Sequence, residues 1–228
     1  MHFIPGDERN LAVKAALRYL REIGENVCGA DIEIQKRIPV GAGMGGGSSD
    51  AAAVLRGLNE LFGHRLSEQR LEEISGDVGS DVPFCVRGGT ALAKGRGEIL
   101  STLPKLPDCT FVICKPEFSI STPELFKRLD MIRSHHHPDT AGIIDALEKR
   151  DIRQLCRRMY NVFEIVEDRR MKCVSEIKGR LLDHGALGAV MTGTGSAVFG
   201  VFTDESAAAS ACGELKKSYS FCCTAKPV

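Results

Sequence analysis

P-V-G-A-G-M-G-G-G-S-S-D-A-A-A, at Pro39 to Ala53, joins a strand-like stretch to a helix-like one, and five of its first nine residues are glycine. Before it, Ala30 to Ile38 sets Ile32, Ile34 and, after a slip, Ile38 against Asp31, Glu33 and Gln35, the period of a half-buried strand. After it, Ser49 to Phe62 places Val54, Leu55, Leu58, Leu61 and Phe62 along one stripe of an amphipathic helix. A glycine-rich loop running into a helix N-terminus lets backbone N–H groups approach an anion, and the helix dipole favours negative charge there. The stretch therefore reads as a cradle for nucleotide phosphates.

Two common cradles fit poorly. A Walker loop needs a lysine directly after its glycines, and none follows here. The dinucleotide fingerprint G-x-G-x-x-G occurs as Gly41, Gly43 and Gly46, but it requires a second parallel strand just after the helix. Leu66 to Ile74 (L-S-E-Q-R-L-E-E-I) reads instead as another helix.

A third design combines the loop with other strings in order: N-L-A-V-K-A-A at Asn10 to Ala16, G-S-D-V-P-F at Gly79 to Phe84 and G-R-G-E at Gly95 to Glu98. S-T-P-E-L-F at Ser121 to Phe126 and M-T-G-T-G-S-A-V-F at Met191 to Phe199 complete the set. Together they resemble the GHMP small-molecule kinases, with the match running from about Gly6 to Val228. G-G-G-S-S-D-A-A and G-S-D-V-P-F point to the branch that phosphorylates a cytidyl diphospho methylerythritol alcohol, rather than to mevalonate or homoserine kinases. Another GHMP kinase, or a nucleotide-binding protein without catalysis, are the alternatives.

The resemblance implies an α+β, two-domain fold: an N-terminal ATP-loop domain over residues 1–108 and a ferredoxin-like C-terminal domain over 109–228. It implies ATP and Mg²⁺, with the nucleotide held by Pro39, Val40, Gly41, Ala42, Gly43, Met44, Gly45, Gly46, Gly47, Ser48 and Ser49. Asp81 is the implied catalytic carboxylate, taking or orienting the proton of the acceptor hydroxyl, and Thr122 borders the substrate. No metal ligands are assigned. That family also opens with a strand of the type K-I-N-L-x-L and a D-G-Y-H segment, which supply a lysine and a cytosine clamp. This chain begins M-H-F-I-P-G-D-E-R-N. The expectation is an incomplete N-terminal domain, an exposed apolar strip beside residues 30–38, and little turnover by the chain alone.

Thirty basic and 30 acidic residues cancel, which argues against a nucleic-acid surface. No apolar run is long enough to span a membrane. Nine cysteines, an odd number with no C-x-x-C, read as reduced thiols in a cytoplasmic protein. At 228 residues the chain can bury a sizeable core. Nothing in the sequence bears on oligomeric state.

The remaining periodicities predict helices at 10–23, 67–75, 123–130, 140–148, 151–158 and a broken one over 161–183. Short strands are expected at 84–93, 98–103 and 110–115, then strand–turn–strand over 188–202, a helix at 204–217 and a strand at 220–227. Several site residues have a plainer reading as well. Ser48 and Ser49 suit an N-cap, as do Asp81 before Pro83 and Thr122 before Pro123. Asp50 is expected to face outward, away from a phosphate it would repel, and Asp77 to lie on the surface. Gly193 and Gly195 form either a tight hairpin or a floor under the ATP loop. His135 to His137 read as a solvated loop, because adjacent extended residues point apart.

Overall fold

The computed structural model describes residues 4–24, 29–132, 136–166 and 168–228. It divides into two compact units, Met1–Val40 with Gly45–Leu103, and Gly41–Met44 with Pro104–Val228. Four loop residues thus belong to the second unit while their neighbours on both sides belong to the first. The fold is α+β, as expected.

The first unit is built on two alanine-rich helices. α1 (Leu11–Ile23) starts at Asn10, whose side chain accepts from the Ala12 N–H at 3.0 Å, and stops at Gly24, where φ is 77°. Its buried residues, Ala12, Ala15, Ala16, Tyr19 and Leu20, follow the i, i+3, i+4, i+7, i+8 pattern. They meet Ala51, Ala52, Leu55 and Leu58 of α2 (Gly46–Leu61). Small residues on both faces let the helices pack closely. Tyr19 donates to Asn59 at 3.1 Å, and Asn59 in turn donates to the Leu66 carbonyl at 3.0 Å, so this buried polar pair is satisfied. α3 (Glu68–Ser75), capped by Ser67, and α4 (Val82–Arg87) complete the helical layer. β1 (Ala91–Lys94) pairs antiparallel with β2 (Ile99–Thr102).

Three expectations fail here. The strand expected over 84–93 begins only at Ala91; α4 occupies the first half of that range, because Pro83 fits the first turn of a helix better than a strand interior. The helical stripe turns away from Leu61, which is 80% exposed, and Asn59 takes the buried place. Residues 30–38 adopt no regular strand, although Ile32, Ile34, Lys36 and Ile38 are half-buried and the residues between them exposed. The alternation is unbroken, with no slip: Lys36 holds an inward position because Asp50 meets it there.

The second unit is a four-stranded antiparallel sheet in the order β4-β5-β3-β6, formed by Gly188–Met191, Val198–Phe202, Thr110–Lys115 and Phe221–Ala225 respectively. Val112 lies opposite Gly200 on one side and Thr224 on the other. This strand order is that of a ferredoxin-like sheet. Between β3 and β4 run α5 (Thr122–Asp130), α6 (Thr140–Glu148), α7 (Ile152–Arg158), a single 3-10 turn (Val162–Ile165) and α8 (Met171–Asp183). The long run over 161–183 is indeed broken, between the 3-10 turn and α8. α9 (Glu205–Lys216) joins β5 to β6. The core gathers Val112, Cys114, Val198 and Phe202 from the sheet with Ile177 and Leu181 of α8 and Ala208, Ala211 and Leu215 of α9. The eight described cysteines are free thiols; Cys28 and His135 lie outside the described residues. Among the described residues no helix is long and apolar enough to cross a membrane.

Candidate functional site

The glycine loop is shorter than its sequence suggests, because α2 begins at Gly46 rather than Ser49. Gly41, Gly43 and Gly45 all take the left-handed conformation, at φ 65°, 70° and 62°. An L side chain adopts that conformation only at a cost of about 1–2 kcal/mol. Gly45 is the N-cap and offers no side-chain bond, and the first internal helix bond closes only from the Ser49 N–H to the Gly45 carbonyl at 2.8 Å. The N–H groups of Gly46, Gly47 and Ser48 therefore have no intrahelical acceptor and point out of the helix end. Neither serine is the N-cap. Ser48 is buried and Ser49 exposed, in the turn that offers these amides.

The expectation for Asp50 is overturned. It pairs with Lys36, and both side chains are largely covered. The same ammonium lies 3.0 Å from where a Cβ on Gly46 would stand. The extended segment thus brings a positive charge to the first turn of α2, where no Walker lysine exists.

Asp81 immediately precedes α4, but its side chain makes no capping bond, because its backbone is already helical (φ −90°, ψ −7°). The carboxylate is exposed and accepts no hydrogen bond from a described residue; Oδ1 lies 3.3 Å from the position of a Cβ on Gly97, in the G-R-G-E turn between β1 and β2. Leu11 links this segment to the helix end. Its Cδ1 is 3.5 Å from a Cβ position on Gly47 and 3.8 Å from one on Gly79. The helix end and the start of the G-S-D-V-P-F segment thus flank one side chain. Asp77 sits on the surface as expected, 66% exposed, and takes the Arg18 Nε–H at 2.8 Å.

In the second unit, residues 41–44 rest on the turn between β4 and β5. Thr192 donates through Oγ1 to the Gly43 carbonyl at 3.0 Å, and the Ala197 N–H donates to the Ala42 carbonyl at 3.0 Å. A Cβ on Gly43 would collide with the Thr192 carbonyl and stand 2.9 Å from the Gly195 nitrogen. Gly193 and Gly195 thus form both a tight turn and a floor under these residues. Ser119, whose buried hydroxyl has no described partner, backs Gly41. Thr122 is the first residue of α5 rather than its cap, which is Ser121; its hydroxyl bonds that of Thr194 at 2.8 Å.

Sequence reading gave no role to Lys36, Leu11 or Ser119. Only Lys36 carried a signal, as the one charge on the inward phase of residues 32–38. The others act through contacts that no periodicity reveals. Among the described residues, no three His, Cys, Asp or Glu side chains are grouped to hold a metal ion.

Comparisons with known proteins place the chain in a family. Residues 10–89 match the GHMP kinases N terminal domain and residues 143–220 the GHMP kinases C terminal domain. A 4-diphosphocytidyl-2-C-methyl-D-erythritol kinase of Syntrophomonas wolfei is 43% identical over 95% of this chain and 75% of its own length. The protein of that name from Listeria monocytogenes is 46% identical over 91% of this chain and 70% of its own. A crystal structure of 4-(cytidine 5'-diphospho)-2C-methyl-D-erythritol kinase superposes with a TM-score of 0.80 at 32% identity, covering 98% of this chain and 79% of that one. A homoserine kinase from Cytophaga hutchinsonii reaches the same TM-score at 21% identity, a likeness of fold alone. The chain belongs to the GHMP kinases, and within them to the 4-diphosphocytidyl-2-C-methyl-D-erythritol kinase family.

Proposed function

We propose that the protein transfers the γ-phosphoryl group of ATP to the 2-hydroxyl of 4-diphosphocytidyl-2-C-methyl-D-erythritol, in non-mevalonate isoprenoid precursor biosynthesis. One observation carries the reading: a glycine-rich loop leads into a helix end whose first three amides, at Gly46, Gly47 and Ser48, have no intrahelical acceptor. Phosphoryl transfer asks mainly for positioned reactants and stabilised charge. The amides of Gly46, Gly47 and Ser48 take the phosphates, with residues 39–45 wrapping them and the Ser48 and Ser49 hydroxyls in reach of the same turn. Asp81 accepts the acceptor's hydroxyl proton as that oxygen bonds to the γ-phosphorus. The bond to the β-phosphate oxygen breaks, and ADP leaves with its electron pair. Thr122 borders the acceptor.

Mg²⁺ bound with the nucleotide supplies neutralisation of the β- and γ-oxygens. Among the described residues no cluster of acidic, histidine or cysteine side chains would cage it, which fits a cation that keeps most of its waters and would arrive on the phosphates. The reaction is read as cytoplasmic, which the free thiols of the described cysteines support.

The test is ADP release with and without the cytidyl acceptor. It is run on this chain, beside the Syntrophomonas wolfei relative as positive control. Acceptor-dependent release is expected, at a rate below the relative's. Release indifferent to the acceptor, or release driven equally by mevalonate or homoserine, overturns the reading.

A further inference from the structure

Asn161 lies between α7 and the 3-10 turn, and its side chain is bonded in three directions. Oδ1 accepts the Phe163 N–H at 2.9 Å, which caps the turn. Nδ2 donates to the Met191 carbonyl at 2.7 Å and to the Gly193 carbonyl at 2.8 Å. A cap needs only the first bond. The other two grip the backbone on either side of Thr192, the residue that holds Gly43.

A second contact reinforces the grip. Met191 ends β4, an edge strand, so an outward-facing N–H and carbonyl there have no strand to pair with. The Met191 N–H donates to Glu164 Oε1 at 2.7 Å, and Glu164 is paired with Lys178 of α8. Residues 161 and 164 thus stand in for a missing neighbour strand at the point where the chain turns toward Gly43.

We propose that Asn161 is a positioning residue for nucleotide binding: it fixes the turn at 191–193 so that Thr192 seats the glycine loop. This rests on the reading of that loop as the phosphate cradle. Asn161 touches neither nucleotide nor acceptor and acts through Thr192 and the Gly43 carbonyl.

The experiment exploits the two halves of the side chain. Asn161→Asp keeps an acceptor for the Phe163 N–H but sets carboxylate oxygens against two carbonyls. Asn161→Ser keeps a capping hydroxyl that is too short to reach the turn. Each is titrated with a nonhydrolysable ATP analogue by calorimetry, beside wild type and Gly46→Val, with melting temperatures recorded. Two lost hydrogen bonds weaken nucleotide binding by on the order of 10-fold, while both variants stay folded at the titration temperature. In steady state the loss appears in KM for ATP rather than in kcat. Wild-type affinity in either folded variant, while Gly46→Val has lost binding, overturns the positioning role and leaves Asn161 a cap. Wild-type affinity in Gly46→Val as well removes the phosphate-cradle reading itself, and the positioning role with it.

Discussion

Asp81 precedes a six-residue helix without capping it, and this separates two roles that the sequence leaves entangled. Because no capping bond exists, Asp81→Asn removes a charge without removing a structural contact. In the acceptor-dependent assay it should lower kcat by on the order of 10²–10⁴, the usual worth of a positioned acid–base group. KM for ATP should change little, since the carboxylate addresses the acceptor. Asp77→Asn is the control. Its pair with Arg18 is exposed and worth at most about 1 kcal/mol, so its rate should match wild type; equal rates for the two variants would return Asp81 to a passive place. Asp168 makes a different prediction. Arg170, and beyond it Arg128, hold its carboxyl down to about 2, with bonds at 2.6 and 3.1 Å. A carboxylate whose folded pKa is depressed stabilises the protein above its ordinary value near 3.8, and that contribution is lost as pH falls toward 2. Both arginines are about a third exposed, so solvent screening reduces it to about 1–2 kcal/mol. Asp168→Asn should cost this amount at pH 7 and nothing near pH 2, measured by urea unfolding at both. An equal cost at both would show that packing, not charge, is lost.

Among the elements, those with a strong local period or a clear stop were legible. α1 has its Asn10 cap and Gly24 stop, and α9 its Asp204 cap. The 188–202 hairpin has its glycine turn. What failed was decided by tertiary contact. Residues 30–38 carry strand alternation without strand pairing, and Pro83 turned an apolar run into a helix. The glycines are informative in the same way. Gly43 has φ 70° and no room for a Cβ, whereas Gly213 lies inside α9 with open space around it. Gly43→Ala should destabilise by on the order of 1–3 kcal/mol and lift residues 41–44 from their seat. Gly213→Ala should stabilise by about 0.4–1 kcal/mol. Thermal melts of the two variants should therefore move in opposite directions, and a shared direction would contradict the backbone argument.

At the level of the whole molecule, the family and its α+β fold were readable because the glycine loop, G-S-D-V-P-F and T-G-T-G-S stand as intact strings in order along the chain. That residues 41–44 pack with the second unit was not readable. It depends on Thr192, Ala197 and Ser119, which are far from the loop in sequence and which bear no marker of that task. The amide cradle can be observed one residue at a time. An isotope-labelled sample titrated with a nonhydrolysable ATP analogue should show saturable shifts that are largest at the amides of Gly46, Gly47 and Ser48. Gly46→Val, whose side chain would press on Ile38 and Lys36, should abolish them. If those three amides stay in place while the analogue saturates a site elsewhere on the chain, the phosphate-cradle reading is wrong.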